Sequence, residues 1–139
     1  MMARRRQRGV ALLEAMIATV ILAIGLLGTI GLQARAYSAM NDAGMRAEAV
    51  IASEKLLGLM STDQSNLGAY ALAAGAAAGP ALATWYAETQ RVIPGAVVTV
   101  TVIPAATGTS ATVTIAWKRK AGDANGSSNT MTSYLSKSS

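Results

Sequence analysis

The pattern of apolar and polar positions divides the chain into an unbroken greasy run, an amphipathic continuation and a later alternating region. From Val10 to Leu32 the only charge is Glu14 and there is no proline. About 20 apolar residues coiled as a helix match the roughly 30 Å hydrocarbon core of a bilayer. Polar residues then return at helical spacing, and Val10 to about Met60 reads as one long helix. Tyr37, Met40, Gly44, Ala47 and Ile51 form a stripe expected to pack on a sheet, with Asp42, Arg46, Glu48 and Lys55 facing away. Asp42 and Arg46, four apart with the acid first, suit a surface pair. The helix is expected to stop near Ser61-Thr62-Asp63.

Residues 61–81 read as a connecting loop rich in alanine and glycine, either a spacer or a binding loop. A second helix is expected over Ala81–Val92, with Leu82, Trp85, Tyr86 and Thr89 on one side and Ile93-Pro94-Gly95 as its stop. Ala96–Ile103 is a β-branched run that Pro104 is expected to end. Thr107-Gly108-Thr109-Ser110 reads as a turn. In Ala111–Lys118, Val113, Ile115 and Trp117 alternate against threonines and alanine. Asp123–Ser128 is a second turn and Thr130–Leu135 a weaker third strand. The two longer strands read as an antiparallel hairpin. Trp85 and Trp117 are expected as core anchors rather than ligand stackers.

Charge changes this picture only at the amino end. The 12 basic residues outnumber the 7 acidic ones, a formal net charge of +5. Arg4, Arg5, Arg6 and Arg8 precede the apolar run; without residues 1–9 the balance is 8 against 7, a net of +1. The basic pI therefore does not argue for a nucleic-acid partner. The remaining cluster, Lys118-Arg119-Lys120, reads as a solvated strand end. Short positive flanks stay on the cytoplasmic side of a membrane span. Cysteine and histidine are both lacking, which removes disulfide staples, zinc sites and thiol or imidazole catalysis. No Gly-rich phosphate loop follows a strand, and the carboxylates are scattered, so neither an enzyme nor a cofactor is expected.

Glu14 is the anomaly, since an ionisable group inside a membrane segment is costly and calls for a partner. Three readings compete. One is an ordinary signal peptide cut at Ala34-Arg35-Ala36, although secretory apolar regions usually run only about 7–15 residues. Another is a plain transmembrane anchor, and the third is a processed leader.

The basic leader ending in Gly9, the apolar Val10, Glu14 four residues later and the unbroken run behind it resemble the class III signal of type IV pilins and pseudopilins. The resemblance implies cleavage between Gly9 and Val10 by a membrane-embedded prepilin peptidase, followed by N-methylation of Val10. Valine departs from the aromatic or methionine commoner there. Glycine before the cut suits a close backbone approach. The freed Val10 amine of one subunit then becomes the expected partner of a neighbour's Glu14, a pairing that sets register more than it adds stability. Gly25, Gly28 and Gly31 are read either as a small-residue face for helix packing or as points where the helix loosens in a filament. Gly31 stands where many type IV pilins have a proline or glycine.

The later elements, with Ile24-Gly25-Leu26-Leu27-Gly28 and Gly31-Leu32-Gln33, are similar to PilV-type minor pilins. That resemblance implies an α+β, lollipop-like fold: a long N-terminal hydrophobic helix packed on a small C-terminal antiparallel sheet. Its expected parts are a cleaved leader (1–9), a membrane or filament-core helix (10–32), an amphipathic continuation (33–60) and a globular head (61–139). It implies a non-catalytic subunit that primes or modifies type IV pilus assembly. Its partners would be prepilin peptidase, other minor and major pilins, the inner-membrane assembly platform and a tip adhesin. The implied location is the inner membrane, with a cytoplasmic N-terminus and periplasmic head, and then the pilus. The rivals are a pseudopilin of a type II secretion system and an inner-membrane anchored binding protein that does not polymerise. Major pseudopilins carry a calcium site near their C-terminal strands; the lone Asp123 offers too few oxygen ligands for one here.

Overall fold

A computed structural model describes the backbone of residues 4–118 and 126–136, and side chains from residue 10 onward within those ranges. The chain divides into two compact units, residues 1–40 and 41–139. One helix, α1 (Arg4–Thr62), runs through both. After it come a 3₁₀ segment (Gln64–Tyr70), helix α2 (Pro80–Val92), and strands β1 (Val97–Ala105), β2 (Gly108–Trp117) and β3 (Ser127–Ser136). The strands form one antiparallel sheet in the order β1-β2-β3. The class is α+β, with the second half of the long helix packed on the sheet.

Among the described residues, the first unit is helix alone. Its large apolar side chains, Val10 through Leu32, are all exposed. The second unit has the hydrophobic core. There α1 contributes Ala49, Ala52, Leu56, Leu57 and Met60, and α2 contributes Leu82 and Trp85. The sheet adds Val98 and Val100 from β1, Ala111, Val113, Ile115 and Trp117 from β2, and Leu135 from β3. Every second residue of β2 from Ala111 is buried, as the alternation predicts. The buried hydroxyls of Ser53 and Thr89 are bonded to carbonyl oxygens one turn earlier, Ala49 at 2.8 Å and Trp85 at 2.9 Å. Their burial therefore leaves no polar group unmatched.

Four expectations are corrected. The helix stripe has a different phase. Tyr37, Met40 and Ile51 are exposed, as are Gly44 and Ala47, while Ala49, Ala52, Ser53, Leu56, Leu57 and Met60 face the core. Asp42 does not face away: its half-buried carboxylate accepts from Ser127 Oγ at 2.9 Å and from Arg46 Nε at 3.1 Å. Residues 61–81 are not a bare connection. Leu67 and Tyr70 of the 3₁₀ segment are buried, and Leu72 exchanges backbone hydrogen bonds with Val100.

The strand boundaries also differ. Pro104 lies within β1 instead of ending it, which is allowed because β1 is an edge strand and no central ladder loses a donor. Gly108, Thr109 and Ser110 belong to β2, and the hairpin turns through Ala106 and Thr107 alone. A Cβ on Gly108 would meet the Leu135 carbonyl oxygen at 2.5 Å, so glycine is required by the close approach of β3. The stop after α2 is a turn over Ile93–Ala96, closed by Ala96 N–H to the Ile93 carbonyl at 3.1 Å. Gly95 takes φ +76 there, as position three of a Pro-Gly type II turn requires. The expected turn over 123–128 and the cluster 118–120 fall largely outside the described residues, as do Arg119, Lys120 and Asp123 themselves.

Candidate functional site: the amino-terminal helix

The site is built on the first turns of α1. Gly9 lies within the helix, followed by Val10 and, one turn on, Glu14. Positions four apart on a helix share a face, so Val10 and Glu14 are neighbours on one side of the rod. Val10 is 66% exposed, and Glu14 is exposed as well. Among the described residues nothing forms a hydrogen bond or ion pair with the Glu14 carboxylate, so any partner for it must come from another molecule or a residue beyond those described.

The remaining polar groups of this stretch are satisfied within the helix. Thr19 Oγ1 donates to the Met16 carbonyl and Thr29 Oγ1 to the Leu26 carbonyl, each at 2.8 Å. Together with the helical backbone bonds, this leaves the rod with apolar sides, as an aprotic surrounding demands. By length and composition α1 can cross a membrane. Glu14 is the single charge that such a crossing would carry between Val10 and Leu32.

Helix α1 continues without interruption through Gly25, Gly28 and Gly31. A Cβ built on any of them would meet nothing within 4 Å. Among the described residues no side chain or backbone makes use of their small size. Each interior glycine costs up to about 1 kcal/mol of helix propensity relative to alanine.

What sequence reasoning missed is how far the open side of α1 extends. In the first unit Tyr37 and Met40 are exposed beyond Leu32, and in the second Gly44, Ala47 and Ile51 are exposed as well. Their spacing was visible, but spacing alone does not say which of two helical faces a sheet will cover. Elsewhere, Lys55 Nζ is paired with the Glu88 carboxylate across α1 and α2, beside a cleft of about 150 Å³ between them. Among the described residues no group of three or more acidic side chains is arranged to hold a metal.

Residues 4–30 match a family model described as the prokaryotic N-terminal methylation motif. No curated protein and no solved structure matches the chain. The matched residues span the arginines, Gly9, Val10, Glu14 and two of the three glycines, and from Val10 onward this is the stretch whose large apolar side chains are exposed. Such a signal implies processing by a prepilin peptidase and assembly with other pilins, and it is consistent with membrane anchoring before assembly. It points to a structural rather than an enzymatic subunit. The motif, on this helix, supports a precursor of the type IV pilin-like or pseudopilin kind.

Proposed function

We propose that the chain is a minor pilin of PilV type, a non-catalytic subunit that primes or modifies type IV pilus assembly. Prepilin peptidase cuts between Gly9 and Val10, and the new amine of Val10 is N-methylated. Before assembly the chain sits in the inner membrane with its N-terminus cytoplasmic and its head periplasmic. It then enters the pilus with other minor and major pilins, delivered by the assembly platform, and can support a tip adhesin. Residues 1–9 are the leader, 10–32 the membrane or filament-core helix, 33–60 its continuation and 61–139 the head.

The observation that carries this reading is the methylation motif over residues 4–30 lying on a helix whose large apolar side chains from Val10 to Leu32 are all exposed. Glu14 gains its partner from a neighbouring subunit's Val10 amine, which relieves a carboxylate otherwise stranded in an apolar layer. The exposed Tyr37, Met40 and Ile51 extend the surface available to neighbouring helices, and Gly25, Gly28 and Gly31 allow close approach or local stretching.

The test is intact-mass analysis of the amino terminus in cells with and without prepilin peptidase, combined with probing of sheared pili. Loss of residues 1–9 only when the enzyme is active, one added methyl group, and recovery in pili are expected. Recovery instead in a secretion pseudopilus identifies a pseudopilin of a type II secretion system. An uncut chain beside active peptidase identifies an anchored binding protein that does not polymerise.

A further inference from the structure

Two buried polar atoms of the sheet lack a partner, and they are of opposite kinds. Trp117 is 2% exposed, yet its indole Nε1–H donates to no acceptor. Asn129 is half-buried, and its buried Oδ1 atom accepts from no donor. Either group is costly to keep dry and unmatched. The other indole shows the contrast: Trp85 is as deeply buried, and its Nε1 donates to the Ala52 carbonyl at 2.9 Å.

The strand register brings Trp117 and Asn129 to one corner. Trp117 stands opposite Ser127, and Asn129 is the next residue of β3 on that same, inward side of the sheet. Diagonal neighbours on antiparallel strands are within reach of aromatic and long side chains. Ser127 adds an oxygen to the corner. Its Oγ–H donates to Asp42 Oδ1 at 2.9 Å, and a hydroxyl that donates keeps its two lone pairs for accepting.

Among the described residues the corner therefore offers one unmatched donor and two acceptor oxygens. No direct bond joins Trp117 Nε1 to Asn129 Oδ1. A cation does not suit the indole N–H, and an anion does not suit the two oxygens. A water molecule suits all three, since it accepts from one group and donates to two. Buried waters make about three hydrogen bonds, to groups the protein itself leaves unmatched.

We infer that a bound water occupies this corner beside Asp42, accepting from Trp117 Nε1 and donating to Asn129 Oδ1 and Ser127 Oγ. It continues the hydrogen-bonded chain from Arg46 through Asp42 to Ser127, so that one polar network joins α1, β2 and β3. The network also fixes register, because a slip of one residue turns Asn129 to the solvent face. The site lies in the head alone and stands whether or not the chain enters a pilus.

Water-selective Overhauser spectroscopy on the full, isotope-labelled chain in deuterated detergent tests this. Trp85→Phe removes one indole signal and so assigns both. Trp117 Hε1 is expected to show a dipolar contact with water, of the sign that separates it from proton exchange. Trp85 Hε1, bonded to Ala52, should show none. Asn129→Leu removes an acceptor and fills its space, and it should abolish the contact at Trp117 while the Trp85 signal stays in place. Three results would each overturn the inference: no water contact at Trp117, an equal contact at both indoles, or a contact that survives Asn129→Leu. The first, joined to a shift of Trp117 Hε1 in Asn129→Leu, would assign a direct bond between the two side chains. The comparison of the two indoles needs no change at the corner, so it decides the matter even where Asn129→Leu fails to fold.

Discussion

The indole Nε1 of Trp85 donates to the carbonyl oxygen of Ala52 at 2.9 Å, and both residues are buried. This bond fixes α2 on α1 by a polar contact inside an apolar core. The carbonyl of Ala52 sits within α1, where a helical backbone partner is also within reach, so losing the indole does not strand it. Trp85→Phe is therefore expected to cost about 1 kcal/mol, one net hydrogen bond. Trp85→Ala should cost about 3–5 kcal/mol through the cavity it leaves. Denaturant unfolding of the full chain in detergent, followed by Trp117 fluorescence, checks both. Equal losses would mean that the bond, not the packing, dominates.

The phase of the α1 stripe can be tested in the same assay. Leu56 is fully buried, while Ile51 is 57% exposed. Leu56→Ala should destabilise by about 2–5 kcal/mol, and Ile51→Ala by no more than about 0.5 kcal/mol. A reversed order would restore the face formed by Tyr37, Met40 and Ile51 as the core side.

That reversal marks the limit of what the sequence discloses. Helix α2 and strand β2 were legible because Pro80 and Ile93-Pro94-Gly95 bound one, and strict alternation up to Trp117 marks the other. Along α1 two stripes satisfy helical spacing, one through Met40 and Ile51 and one through Ala49, Leu56 and Met60. The choice is made by the sheet, which is not local information. Leu67, Tyr70 and Leu72 were missed because each is an isolated apolar residue among alanine, glycine and polar neighbours. Gly9, Val10 and Glu14 stand out in sequence because charge is so rare around them. The partner of Glu14 is not legible in one chain, since the reading that explains it places that partner on another.

Asp42 joins the start of the second unit's helical segment to β3 through Ser127, with Arg46 on its other oxygen. Only 15% of its side chain is exposed. Asp42→Ala leaves the Ser127 hydroxyl without this acceptor, and a loss of about 1–2 kcal/mol is expected for a hydrogen bond to a charged group. Ser127→Ala should cost less, because Arg46 still faces the carboxylate. Measured alone and together, the two substitutions should fall short of additivity, as contacting residues do.

Tyr70 gives the head a defined alkaline limit. Its hydroxyl donates to Asp63 Oδ2 at 3.1 Å. Burial foremost, then the hydrogen bond to Asp63 and the charge of that carboxylate, push its pKa above the ordinary 10.0. The folded chain holds this proton more tightly than the unfolded chain. The resulting stability is fully present below the unfolded value near pH 10.0 and is lost as pH rises through the folded value. Unfolding measured across that range should show a fall that Tyr70→Phe reduces, and absorbance titration should show one late-ionising tyrosine that the same substitution removes.

The last prediction concerns the single carboxylate of the apolar rod. If Glu14 is an incidental charge in a membrane span, removing it should improve insertion and change nothing else, since a charge there is unfavourable. If it meets the Val10 amine of a neighbouring subunit, Glu14→Ala should leave insertion and cleavage after Gly9 intact and still deplete the chain from sheared filaments. Glu14→Asp keeps the charge but shortens the reach, so its recovery should lie between the two. Comparing membrane and filament fractions for all three chains separates the cases. Normal filament recovery of Glu14→Ala would show that the carboxylate has no part in assembly.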